Sequence, residues 1–175
     1  MPEDSVAVKL LRLLAFFDSK DVSEWTFIEY HRNHSTTKIS ELLEWINRFT
    51  DSQSRWNSRL FKKNLVLLKD FCLLQLFTQG PDEYIHASLH PLVKDWIWLQ
   101  MEKSVCQEYA LMVTTILSDL LQAVWRSGQF ELPLTTKQYL VLHVIAQEDN
   151  YREYLGIHYT ELHQDIMNEY TISQA

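Results

Sequence analysis

His90-Pro91-Leu92 stands where a strand-like apolar run, Tyr84–Leu89, gives way to a helical pattern. A proline at the first helical position sacrifices no hydrogen bond, so Pro91 opens the helix and His90 is its N-cap. A helix start carries unpaired N–H groups and a partial positive charge, which together favour anions, phosphate above all. A histidine at that cap adds a donor beside the site, although a histidine there also serves simply as a cap. A second chemistry-bearing stretch is Arg55, Arg59, Lys62, Lys63 and Lys69, basic residues with no acidic one among them until Asp70. Immediately before a hairpin, such a helix in a DNA-binding protein enters the major groove, and its cations neutralise phosphates. Arg59, Lys62 and Lys63 are therefore the candidate nucleic-acid contacts. Against that role, the hairpin tip Gln79-Gly80-Pro81-Asp82-Glu83 is acidic, and the exposed positions are expected to lack the Asn, Gln and Ser mixture that reads bases. A solvated or intramolecular contact face is the plainer reading of the cations.

Other site chemistry is missing. His31 with His34, and His86 with His90, mimic metal-ligand spacings, but no cysteine or carboxylate completes a recognisable set, so no metal is expected. Cys72 and Cys106 lie far apart inside apolar helical patterns and read as buried free thiols of a reducing compartment. No Gly-x-x-x-x-Gly-Lys-Ser/Thr phosphate loop, Gly-x-Ser-x-Gly or His-Glu-x-x-His is present, and the carboxylates fall on polar helix faces. The chain is not expected to be an enzyme by itself.

The elements that must position these residues are mostly helical. Asp4 and Ser5 cap a first helix with Val6, Leu10, Leu13, Leu14 and Phe17 inward. A short second helix covers about Ser23–His31, with Asp21 and Glu24 as a capping pair, Trp25 and Ile28 inward and Phe27 beside them. A third uses Ile39, Leu42, Leu43, Ile46 and Phe49. From Ser58 a longer helix carries Phe61, Leu65, Leu68 and Cys72 on one stripe. Leu73–Phe77, the turn Thr78–Asp82 and Tyr84–Leu89 form a hairpin, taken as a wing. The His90 helix should turn Leu92, Val93, Trp96 and Ile97 inward. Ser104 with Gln107, Thr135 with Gln138 and Asn150 with Glu153 then cap three further helices, and His143 is expected as a packed structural residue.

This order gives a mainly α fold: a winged helix over residues 5–102 with one β-hairpin, then a small antiparallel helical layer over residues 104–170. Composition agrees, since 46% hydrophobic residues can fill a core while three Gly and four Pro are too few for an all-β fold. The net charge of −7 argues against a constitutive nucleic-acid binder. Residues 101–175 hold most of that charge, with 4 basic against 10 acidic side chains. Met1-Pro-Glu-Asp does not read as a signal peptide, and no apolar run approaches the roughly 18 residues that span a bilayer. A cytoplasmic protein without membrane contact is the expectation.

Tyr84-Ile85-His86-Ala87-Ser88-Leu89-His90-Pro91-Leu92-Val93-Lys94-Asp95-Trp96 resembles the end of the winged-helix domain in fungal NOD-like receptors. These are STAND (NB-ARC-type) NTPases, often followed by tetratricopeptide repeats, with a strand and then Met/Leu-His-Pro-Leu-Val-x-x-Trp. Leu11-Arg12-Leu13-Leu14-Ala15-Phe16-Phe17-Asp18 is similar to the opening helix of that domain, and Leu142-His143-Val144-Ile145 to a Leu-Pro-His-Ile element beyond it. Plant resistance proteins and the animal apoptosome scaffold are similar at the same helix start, where the plant form reads Met-His-Asp. The resemblance implies that His90 contacts the β-phosphate of bound ADP and holds a closed state that ATP releases. It also implies a nucleotide-binding domain, supplied in cis or in trans, as the partner, because the family's phosphate loop lies upstream and is not in this chain. No cofactor is then expected on the isolated chain, and ADP or ATP only when it is joined to that domain. Further association with helical repeats or with itself fits the same picture. The alternatives are a DNA-binding winged-helix regulator and a truncated helical scaffold with no activity of its own.

Overall fold

A computed structural model describes residues 5–17, 21–33, 40–80, 82–126 and 134–155. Among them run α1 (Val6–Leu14), β1 (Val22–Ser23), α2 (Glu24–Asn33), α3 (Ser40–Asn47), α4 (Ser58–Asp70), β2 (Leu74–Gln79), β3 (Ile85–Leu89), α5 (Pro91–Gln100), α6 (Lys103–Arg126) and α7 (Leu134–Asn150), followed by a π-helical turn, Tyr151–Leu155. The expected class holds: the protein is mainly helical, with a hairpin and a following helical layer. The sheet has one strand more than the hairpin. β1 pairs antiparallel with β3, so the order is β1-β3-β2 and β3 lies in the middle. Two residues are too short for a period-2 pattern to show, which is why β1 was not expected. Helix, strand, helices and hairpin, with the first strand completing the sheet, is the winged-helix order.

Capping explains most of the boundaries. Ser5 Oγ accepts from the Val8 N–H at 3.3 Å and starts α1. α4 begins at Asn57, whose Oδ1 accepts from the Leu60 N–H at 3.1 Å. It ends in a Schellman pair, with the Leu73 N–H on the Leu68 carbonyl and the Cys72 N–H on that of Lys69. Four expected caps are corrected. Ser23, not Asp21, caps α2, and Glu24 turns inward, accepting from Trp56 Nε1 at 2.8 Å and from the Ile85 N–H. α6 starts at Lys103 and α7 at Leu134, so Ser104 and Thr135 lie inside first turns. Asn150 is the last residue of α7 and not the start of a helix; its side chain donates to the Phe16 carbonyl at 2.9 Å.

One buried cluster runs from Ala7 to Leu140 and draws on α1–α6, β3 and α7. Its densest part is aromatic: Phe27, Trp45, Phe49, Trp56 and Phe61 lie ring against ring, with centroids 4.9–6.4 Å apart. Such pairs add directional attraction to the burial of large apolar rings. Tyr109, Met112, Val113 and Ile116 of α6 belong to the same cluster, so residues beyond the wing share the core of the residues before it. Polar contacts reinforce the junction. Past the end of α1, the Phe16 carbonyl accepts from Gln147 Nε2 at 2.5 Å as well as from Asn150, and the Phe17 carbonyl accepts from Lys94 Nζ at 2.8 Å. Carbonyls at a helix end lack intrahelical donors, and α5 and α7 supply them here.

Cys72 departs from expectation: it is exposed, in a left-handed conformation with φ 58°, whereas Cys106 is buried. The helical stripe reached two residues past the end of α4, where the chain reverses. The segments 34–39, 127–133 and 156–175, which hold His34, the Gly128–Pro133 break and the tail, lie outside the described residues.

Candidate functional site

His90 caps α5 as the sequence implies. Its backbone is extended, Pro91 occupies the first turn, and the Leu92 N–H donates to His90 Nδ1 at 3.2 Å. An accepting Nδ1 places the ring proton on Nε2, and the side chain is exposed. The cap therefore fixes the tautomer and turns an N–H donor outward at the positive end of a ten-residue helix. Lys94, one turn on, donates inward to Phe17 and lies over the Trp98 ring at 4.9 Å, which anchors α5 to the end of α1.

The face expected to be buried on α5 is only partly so. Ile97 is buried and Val93 half-buried, but Leu92 is 71% exposed and Trp96 56% exposed, with Leu99 at 83%. Positions 92, 96 and 99 are spaced i, i+4 and i+7, so they form one stripe that faces outward. The expectation that Leu92 and Trp96 point inward is corrected: periodicity finds the apolar stripe but not the side that receives it. Leu99 also borders an open groove of about 510 Å³ at the far end of α5, between Trp98, Met101, Cys106 and Tyr154.

Arg59, Lys62 and Lys63 all lie on α4 with exposed side chains, and none forms an ion pair with another described residue. Among them rise apolar side chains that phosphate would not contact: Val66, Leu67 and Phe71 are 37%, 39% and 53% exposed. The wing tip opposite carries Asp82 and Glu83, both exposed.

A cluster that sequence reasoning missed lies under the wing. His86, in the central strand, is buried with Nδ1 3.0 Å from Asp21 Oδ2 and Nε2 3.1 Å from Asp82 Oδ1. The Asp21 carboxylate and, with it, that of Asp82 outweigh burial and raise the imidazole to about 9, so the ring is a cation at neutral pH. Tyr139 of α7 approaches the same ring, its centroid 6.0 Å away, and the negative charge of Asp21 pushes its phenol up. With both nitrogens engaged by carboxylates, His86 has no lone pair free to accept a proton, and the cluster is a clamp between β1, the hairpin and α7. Gly80 makes it possible: a Cβ there would lie 2.5 Å from Asp82 Oδ1 and 2.6 Å from His86 Nε2. A histidine inside an otherwise apolar strand was the available signal, since a buried imidazole must find partners.

Two other histidines fall among the described residues. His31 donates from Nε2 to the Ser54 carbonyl at 2.9 Å, and His143 is buried edge-on to Phe17 at 5.1 Å. Among the described residues no three His, Cys, Asp or Glu are placed to hold a metal ion. No described helix is long and apolar enough to cross a membrane. No family model matches the chain, and no curated protein or solved structure shows significant similarity to it.

Proposed function

We propose that this chain is a non-catalytic regulatory segment of a STAND nucleotide-switch protein, in which α5 reads the ADP or ATP state of a nucleotide-binding domain. The observation that carries this reading is the outward side of α5. One helix presents a fixed N–H donor at its start, His90 Nε2, and an apolar stripe, Leu92, Trp96 and Leu99, that its own fold leaves uncovered. A partner domain that covers the stripe brings its ligand to the helix start. There His90 donates to a phosphate oxygen, and the positive end of the helix dipole adds its partial charge, since Pro91 has no N–H and those of Leu92, Val93 and Lys94 are taken up by His90. A hydrogen bond to a charged group is worth on the order of 1.5–3 kcal/mol, enough to shift a two-state population about tenfold or more. Loss of that contact on exchange frees α5, and the layer of α6 and α7 moves with it, because Lys94 and Gln147 tie both to the end of α1. The resemblance of the Leu89–Trp96 string to fungal NOD-like receptors supports the same assignment, and a free exposed thiol at Cys72 suits the cytosol.

The test joins the chain to the nucleotide-binding domain encoded with it. ADP retention and the ADP-dependent closed state are expected to weaken about tenfold or more in His90→Ala, with the fold intact. Unchanged retention in that variant sinks the role of His90. An upstream reading frame without a phosphate-loop motif sinks the whole assignment.

A further inference from the structure

Two exposed helix faces of this chain complement one another and do not meet within one molecule. On α4, Lys62 and Lys63 are followed one turn later by Val66 and Leu67, all exposed, with Arg59 one turn before. On α7, Val141 and Ile145 are 56% and 58% exposed and lie one turn apart, and exposed Asp149 follows at the same spacing. Glu148 and Glu153 flank Asp149 there, while Arg152 is engaged by Glu148 at 3.0 Å. The first face is apolar and mainly positive, with exposed Asp70 at its end; the second is apolar and negative toward its end. Helices of 13 and 17 residues are long enough for two or three turns of side-by-side contact. Arg59, Lys62 and Lys63 form no ion pair with another described residue, so a partner's carboxylates would meet them uncompensated.

We propose that the α4 face binds the α7 face of a second copy of this chain. The contact is heterologous, because different surfaces meet, so a pair keeps a free α7 on one copy and a free α4 on the other, and the assembly grows head to tail. A single helix-on-helix contact falls at the small end of specific interfaces, below about 1,200 Å² in total, so the association is weak. Its charge pairing is exposed and therefore salt-sensitive. The apolar residues on α4 favour a protein partner over a phosphate backbone, and the association needs neither His90 nor nucleotide.

Sedimentation of the purified chain at low salt should show concentration-dependent species larger than a dimer, which dissociate at high salt. Lys62→Glu with Lys63→Glu, and separately Val141→Ser with Ile145→Ser, should each stop growth while circular dichroism stays unchanged. Mixed one to one, the two variants should form a dimer and nothing larger, because only one compatible pair of faces remains. A wild-type chain that stays monomeric at high concentration overturns the proposal. So does a closed dimer that survives both pairs of substitutions, or a mixture of the variants that stays monomeric. Labelled duplex DNA that binds the wild type in the same buffer, and is lost with the α4 substitutions while self-association persists, would assign α4 to nucleic acid instead.

Discussion

A histidine in the central strand of a small sheet has no water to solvate it, and His86 answers with two carboxylates. The folded state favours the protonated ring, whose pKa rises from 6.5 to about 9. Because the folded value is the higher one, this contribution is complete below about pH 6.5 and is lost as pH climbs through about 9. Asp82 is 36% exposed, so solvent screens its share, and the contribution is about 2 kcal/mol and not the ~3 kcal/mol of an unscreened shift. The gap in melting temperature between wild type and His86→Gln should therefore be widest near pH 6 and narrow toward pH 9.5. A gap that stays constant across that range would show that the ring's charge is not what stabilises the wing. Gly80→Ala attacks the same clamp through space and is expected to cost about 1–3 kcal/mol, since its methyl group must displace the Asp82 carboxylate or a buried ring. Denaturant unfolding measures that directly, and a neutral substitution would mean that the hairpin yields without strain.

At the scale of elements, the end of α4 holds a correctable cost. Cys72 adopts the left-handed conformation that the Schellman pair requires, and an L side chain there costs roughly 1–2 kcal/mol. Glycine removes that cost and gives back part of it as chain entropy, so Cys72→Gly should stabilise the fold by about 0.5–1 kcal/mol. A lower unfolding midpoint in that variant would contradict the cap assignment. The element scale also shows what the sequence made legible. Stripes of apolar residues located all four helices before the hairpin, and Gly80 with Pro81 located the hairpin itself. His90-Pro91 located the start of α5 to the residue, because a proline at the first position has a local physical cause. What remained hidden depends on distant partners. The side on which α5 is buried is set where Lys94 and Trp98 meet Phe17 and Phe16, and the role of Asp21 by a strand 65 residues away. Asn150 looked like a cap because a local pattern cannot announce a carbonyl at Phe16.

For the whole molecule, the buried cluster makes α6 part of the fold of the wing. Val113 and Ile116 are fully buried, and Gln147 and Asn150 reach back to Phe16. A fragment ending at Glu102 keeps every winged-helix element but strips the cover from α1 and α2. It should bind hydrophobic dyes and melt without a cooperative transition, whereas a fragment that unfolds as sharply as the full chain would show that the helical layer is a separate unit. The two thiols offer a way to watch this junction in the intact molecule. Cys72 stands in solvent at the end of α4, while Cys106 is 2% exposed within α6, where burial pushes its thiol up. An added thiol reagent will consume the first at once and must wait for α6 to lift before it reaches the second. The slow phase is then a clock for the parting of the two halves, and whatever binds to α5 should change its rate.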